Sequence, residues 1–215
     1  MSKLMRGTML AALLFMSAPA SVLADPVRDL VLAAQMDNPS TVRKLLAKGM
    51  SPNTVDPVTG EPVLIVALRE GSNGVLDLLL AHPDLTLEQA APNGNTALMM
   101  AAFKHNKRAA QALLARGAKV NRAGWSPLHY AASSGAVEIA VLLLEQGARI
   151  DAVSPGRFTP LMLAAREGQA DAALLLVRHG ADPGLQNDEH LTAAQIARRA
   201  DRADIAAAIE KANRQ

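Results

Sequence analysis

Cysteine is missing altogether. Its absence excludes disulfides, thiolate metal centres and a lipid-modified cysteine. Aromatic residues make up only 2% of the 215 residues, as one Trp, one Tyr and three Phe, although half of the chain is hydrophobic. The apolar content is therefore mostly Ala, Leu and Val, which suits thin, closely packed helices better than a barrel or a sandwich. Neither sign of charge is in excess, with 22 Lys plus Arg against 20 Asp plus Glu. Such a balance lacks the basic stripe that nucleic-acid binding needs. The five His residues include no pair at the i, i+4 spacing of a helical metal site and no His-Glu-x-x-His. No phosphate loop or dinucleotide fingerprint occurs, and Asp182 to Glu189 does not match a calcium loop. Neither a metal nor a cofactor is expected.

What is present begins with an export-type start. Lys3 and Arg6 precede the apolar run Met9 to Met16, and Val22-Leu23-Ala24 follows. This pattern reads as a secretory signal peptide over residues 1–24, cleaved after Ala24. The apolar run falls well short of the roughly 20 residues that a spanning helix needs. The mature chain then carries 20 basic and 20 acidic residues, and the periplasm of a bacterium is its expected compartment.

The remainder is organised around Ser126 to Ile150, SPLHYAASSGAVEIAVLLLEQGARI. Ser126 is placed to cap a helix, and Pro127 suits its first position. Ala131 and Ala132 keep that helix thin, and Gly135 ends it. Ile139, Leu142 and Leu143 form the apolar stripe of a second helix, which Gly147 stops. The plan returns at Thr159, TPLMLAAREGQADAALLLVRHGAD, and at Thr96, TALMMAAFKHNKRAAQALLARGAKV. Ser126, Thr159 and Thr192 stand 33 residues apart, whereas Thr96 to Ser126 is 30, so the finger between Val120 and Gly124 should be short. One such unit cannot bury its own apolar face, but stacked neighbours can.

These residues resemble the helix–turn–helix units of the ankyrin repeat family, in particular its exported bacterial members. The resemblance implies a mostly α solenoid of stacked helix pairs with short hairpin loops. Repeats are expected at about 26–55, 56–88, 93–121, 122–152, 153–183 and 184–213. In the first, the helices are Val27 to Gln35 and Ser40 to Lys48, with Ser40 as N-cap. In the second, Pro62 replaces the capping Thr, Gly71 to Gly74 forms a looser turn than elsewhere, and Val75 to Ala81 is the second helix. The last helix is Ala203 to Ala212.

Function, on this resemblance, is binding of another protein in a concave groove by a monomeric chain that is not an enzyme. The residue before each cap faces that groove, and here it is Asn95, Trp125, Phe158 and Leu191 in successive repeats. The residues after the Ala-Ala pairs, among them Phe103, Lys104 and Arg166, extend it. Trp125, Phe158 and Leu191 either anchor a partner or fold over the hairpins and close the local core. His129 stands where the family uses an imidazole to hydrogen-bond neighbouring backbone. Gly124-Trp125-Ser126 begins like a nucleophile elbow but lacks the closing Gly. The analogy leaves two narrower roles open: an accessory protein to a secreted enzyme, for instance in peroxide defence, or an immunity protein that masks a periplasm-acting toxin.

Overall fold

Short helices follow from stop and start signals that recur through the sequence. The computed structural model describes residues 25–213, so the expected signal peptide, residues 1–24, lies outside the described residues. Twelve α-helices form six pairs: α1 Pro26–Gln35 with α2 Pro39–Ala47, α3 Val63–Glu70 with α4 Asn73–Leu80, and α5 Ala97–Phe103 with α6 Lys107–Ala115. The others are α7 Pro127–Ser134 with α8 Val137–Glu145, α9 Pro160–Glu167 with α10 Ala170–Arg178, and α11 Ala193–Arg199 with α12 Ala203–Ala212. Among the described residues there is no strand, only a single antiparallel bridge between Val55 and Pro62 in one finger. Of the five connectors between pairs, 116–126 is the shortest, as the 30-residue spacing from Thr96 to Ser126 requires.

The turn inside each pair needs one residue with positive φ at a fixed register. Gly71, Gly135 and Gly168 supply it in three pairs, and Asp37, His105 and Asp201 in the other three, at φ between 48° and 80°. Glycine adopts this conformation freely, whereas an L side chain carries a cost there. The same rule corrects the expectation of a loose turn at Gly71 to Gly74. Gly71 alone makes the reversal, and α4 begins at Asn73. The expected N-cap at Ser40 is also corrected. Asn38 caps α2, its Oδ1 accepting from Thr41 N–H at 3.1 Å, because Pro39 takes the first helical position.

Each pair buries two stripes. On the first helices Ala101 and Ala102, Ala131 and Ala132, and Ala164 and Ala165 are fully covered, so adjacent helices approach closely. On the second helices Leu79, Leu113, Leu143, Leu176 and Ile209 occupy one register and are almost wholly enclosed. Burying one such side chain contributes about 1.5–3 kcal/mol. First helices pack against one another more extensively than second helices do throughout the stack. The stack therefore curves with α3, α5, α7, α9 and α11 on its inner side.

Polar side chains tie consecutive fingers together. Asn53 Oδ1 accepts from Thr86 N–H at 2.7 Å, and Glu88 Oε1 accepts from Lys119 N–H at 2.8 Å. Asn121 Oδ1 accepts from Arg149 N–H at 2.8 Å, and Asp151 accepts from Asp182 N–H at 3.1 Å. Burial raises the Asp151 carboxyl above its ordinary pKa. The fingers are thus held in register by bonds that satisfy backbone groups no helix can satisfy.

Candidate protein-binding face

A fixed cap sets where the following side chains point. With 3.6 residues per turn, positions four and seven after the cap share one helix face. The residue just before the cap lies beside them at the foot of the finger. These three positions bring Asn95, Met100 and Phe103 onto the inner side of one pair, and Trp125, Tyr130 and Ser133 onto the next. Phe158, Leu163 and Arg166 follow, then Leu191, Ile196 and Arg199.

Two cavities open on this side. The first, about 300 Å³, is lined by Phe103, Trp125, His129, Tyr130, Ser133, Leu163, Arg166 and Glu167. It exists because Ser133 is small at the register where the flanking pairs carry Phe103 and Arg166. The second, about 250 Å³, lies between Phe158, Leu191, Ile196 and Arg199, and Arg166 separates it from the first.

Every aromatic residue of the described chain belongs to this face: Phe103, Trp125, Tyr130 and Phe158. The Tyr130 ring meets Phe103 and Trp125 edge-on, each with centroids 6.3 Å apart. Trp125 also stands edge-on to His129 at 5.5 Å. Edge-to-face pairs at such distances add stabilisation beyond area burial and fix ring orientation. The Tyr130 hydroxyl donates to Asn95 Oδ1, and burial pushes its pKa up, outweighing the opposite effect of Asn95. Even so, Phe103 remains 49% and Trp125 37% exposed. Large apolar rings left half in water along one face mark an interaction site more often than they mark a core.

His129 sits beneath this layer, fully buried. Ser126 N–H donates to its Nδ1 at 3.2 Å, so the ring proton is on Nε2, which donates to the Phe158 carbonyl at 3.0 Å. Burial lowers the imidazole pKa, outweighing the carbonyl contacts that favour its charged form. Ser126 Oγ lies 2.8 Å from Nδ1, the spacing of a nucleophile and its base. Both side chains are enclosed, however, and Nδ1 is engaged with the backbone, so the pair works as a helix cap. Met99, Met162 and Gln195 occupy the same register and take the N–H of Thr96, Thr159 and Thr192 in the same way.

The Arg166 guanidinium carbon stands 5.2 Å from the centre of the Phe158 ring, a cation–π distance. Its Nε donates to Glu167 at 2.9 Å. The residues picked from sequence therefore separate by role. Phe103, Trp125 and Arg166 line the first cavity, and Phe158, Leu191 and Arg166 line the second. Phe158 and Leu191 are partly buried against the core, unlike the more exposed Phe103 and Trp125. Asn95 bonds Tyr130, and Lys104 is exposed outside both cavities. Tyr130, at the centre of the cluster, was missed by sequence reasoning, as were Leu163 and Ile196. The signal was their shared place four residues after a cap.

A family model described as ankyrin repeats (3 copies) matches residues 30–123, 69–154 and 120–187. Among curated proteins, the human transient receptor potential cation channel subfamily A member 1 is 34% identical over 118 residues, covering 54% of this chain and 10% of that protein. The mouse protein fem-1 homolog A-like is 41% identical over 76 residues, 34% of this chain and 12% of that protein. The chain thus spans only a small part of those relatives. Among solved structures, it is similar to an ankyrin repeat domain from Acinetobacter baumannii, with a TM-score of 0.72 and 23% identity over 86% of this chain and 97% of that one. It is also similar to the ankyrin repeat domain of Bcl-3, an IkappaB family member, with a TM-score of 0.68 and 33% identity over 82% and 80%.

Proposed function

The chain belongs to the ankyrin repeat family, and on that premise we propose that it is a binding module for another protein, held on the inner face around Phe103, Trp125, Tyr130 and Phe158. Ankyrin repeats generally mediate protein–protein interaction. The observation that carries the reading for this chain is the gathering of all four described aromatic residues on one side of the stack, two of them substantially exposed. Aromatic and Arg side chains beside open cavities are the usual anchors of protein interfaces. We place the protein in the bacterial periplasm, as a monomer; Lys3, Arg6, the run Met9 to Met16 and Val22-Leu23-Ala24 support export. No enzymatic step is assigned to it.

The test is cross-linked capture from the periplasm of the native host, with the natural protein and a Trp125→Ala, Phe158→Ala variant as baits, at a temperature where melting shows both to be folded. One protein captured by the first and lost by the second supports the reading. Equal capture by both moves the interface away from this face. N-terminal sequencing of the exported chain checks the location, since cleavage after Ala24 leaves Asp25 first.

A further inference from the structure

The face has a charge left open, and its setting specifies what fills it. Three pairs carry an Arg seven residues after the cap position: Arg69, Arg166 and Arg199. In two of them a carboxylate from the adjacent finger meets the terminal guanidinium nitrogens. Glu61 pairs with Arg69 Nη1, and Glu189 pairs with Arg199 Nη1. In the third, the residue equivalent to Glu61 is Phe158, and the guanidinium lies over its ring instead. Arg166 keeps only the contact of its Nε with the neighbouring Glu167. Its two terminal nitrogens have no carboxylate partner among the described residues, and the side chain is 44% exposed. Arg166 also forms the wall between the two cavities.

We propose that the partner docks through an acidic–apolar segment. A large apolar side chain enters the cavity between Phe103, Trp125 and Tyr130, and a nearby Asp or Glu pairs with the terminal nitrogens of Arg166. The inference rests on the binding reading above and specifies its chemistry. Three features of the site support it. Ser133 opens room for a side chain between Phe103 and Arg166. A planar guanidinium with its terminal N–H groups free donates to both oxygens of a carboxylate, and stacking on Phe158 holds it ready without consuming those donors. Lys104, exposed and without an ion pair among the described residues, adds positive charge next to Phe103 in sequence. Glu167 lines the same cavity and is bound at Nε, which leaves the edge formed by Nη1 and Nη2 for a second carboxylate.

The experiment is selection from a random-peptide phage library on protein purified from cells expressing the full chain. Synthetic copies of the selected peptides, each carrying a fluorescent label, are then titrated by anisotropy, so that a variant lacking Trp125, the only Trp, can be read in the same way. The expected result is enrichment of Asp or Glu beside Leu, Phe or Met. An Arg166→Glu variant, compared at a temperature where melting shows it fully folded because the change removes the contacts with Phe158 and Glu167, should weaken those peptides by about tenfold or more and select Lys or Arg in their place. Peptides that bind, depend on Trp125 by Trp125→Ala, and show no acidic preference overturn this inference while leaving the binding face in place. Peptides that bind independently of both Trp125 and Arg166, or no selection at all, count against the binding face itself. Self-association of the natural protein that Arg166→Glu abolishes, seen in sedimentation, would assign the face to a second copy of the chain instead.

Discussion

His129 Nε2 donates to the carbonyl of Phe158 at 3.0 Å, across the boundary between two helix pairs. Its Nδ1 meanwhile accepts from Ser126 N–H, the residue directly after Trp125. One neutral imidazole therefore fixes the backbone on both sides of the aromatic face. Protonation would take away the Nδ1 lone pair and charge a fully buried ring, so folding holds the pKa of His129 down. Between the folded value and the ordinary value near 6.5, the unfolded chain binds more protons than the folded one. Stability contributed by His129 is thus complete above about pH 6.5 and is lost as pH falls through the folded pKa. Thermal melting recorded from about pH 7 to pH 5 should fall for the natural protein. His129→Gln should flatten that fall, because Gln195 already caps its own helix at the same register by accepting from Thr192 N–H at 2.8 Å. The cost of the variant at neutral pH should be about 1 kcal/mol, for the lost bond to Phe158. An unaltered pH slope in His129→Gln would refute the assignment.

Asn121 makes the corresponding link at the fingers. Its Oδ1 accepts from Arg149 N–H and its Nδ2 donates to the Gly147 carbonyl, both at 2.8 Å. Asn121→Ala leaves two backbone groups of the next pair to water, and it should cost about 1–2 kcal/mol. Hydrogen exchange gives the sharper readout. The Arg149 amide should exchange faster in the variant, while amides in the middle of α7 and α8 keep their protection until global unfolding. Unchanged exchange at Arg149 would show that the bond contributes nothing.

Asp201 stands at φ 58° in the turn between α11 and α12, exposed, where Gly135 and Gly168 serve in other pairs. The left-handed conformation costs an L residue about 1 kcal/mol, somewhat less for Asp, and Gly repays part of this in unfolded-chain entropy. Asp201→Gly should therefore raise stability slightly, by about 0.5 kcal/mol. The matching change at His105 should not, because its Nε2 contacts the Ser134 carbonyl at 2.8 Å and would be lost. Paired denaturant titrations of the two variants decide the point, and destabilisation of both would contradict it.

The repeat was legible because each pair repeats its cap, its Ala-Ala stripe and its Gly stops. Where those marks were overwritten, sequence reasoning slipped. Ser40 looked like a cap, but Pro39 suits the first helical position better and shifted the cap to Asn38. Glycines at 71 and 74 suggested slack, yet only Gly71 makes the turn, and Gly74 lies inside α4 against Asp37 and Pro39. The inner face was half legible. Register found Trp125, Phe158 and Leu191, since the position before a cap is visible in any repeat. Tyr130 escaped because it sits inside the helical motif, between His129 and Ala131, and neither before a cap nor after an Ala-Ala pair, the two places where groove residues were sought. The open charge on Arg166 could not be read at all. It depends on which carboxylates reach which guanidinium across a finger, and that is a matter of side-chain geometry.

Leu143 and Ile209 hold equivalent places in α8 and α12, with 0% and 1% of their surface exposed. Truncating either to Ala should cost about 2–5 kcal/mol locally, by lost burial and a residual cavity. Their effects on the whole stack should nevertheless differ. In a solenoid each pair is stabilised by its neighbours, so a weak central pair loses support for both sides, whereas a weak terminal pair unfolds alone. Urea unfolding followed in parallel by circular dichroism and by Trp125 fluorescence distinguishes the two cases, because Trp125 reports on the pair that contains Leu143. Leu143→Ala should shift both signals together to lower urea. Ile209→Ala should split them, with an early loss of helicity that leaves the Trp125 transition near its original midpoint. Coincident transitions in Ile209→Ala would mean that the last pair is bound to the stack more cooperatively than nearest-neighbour packing alone provides.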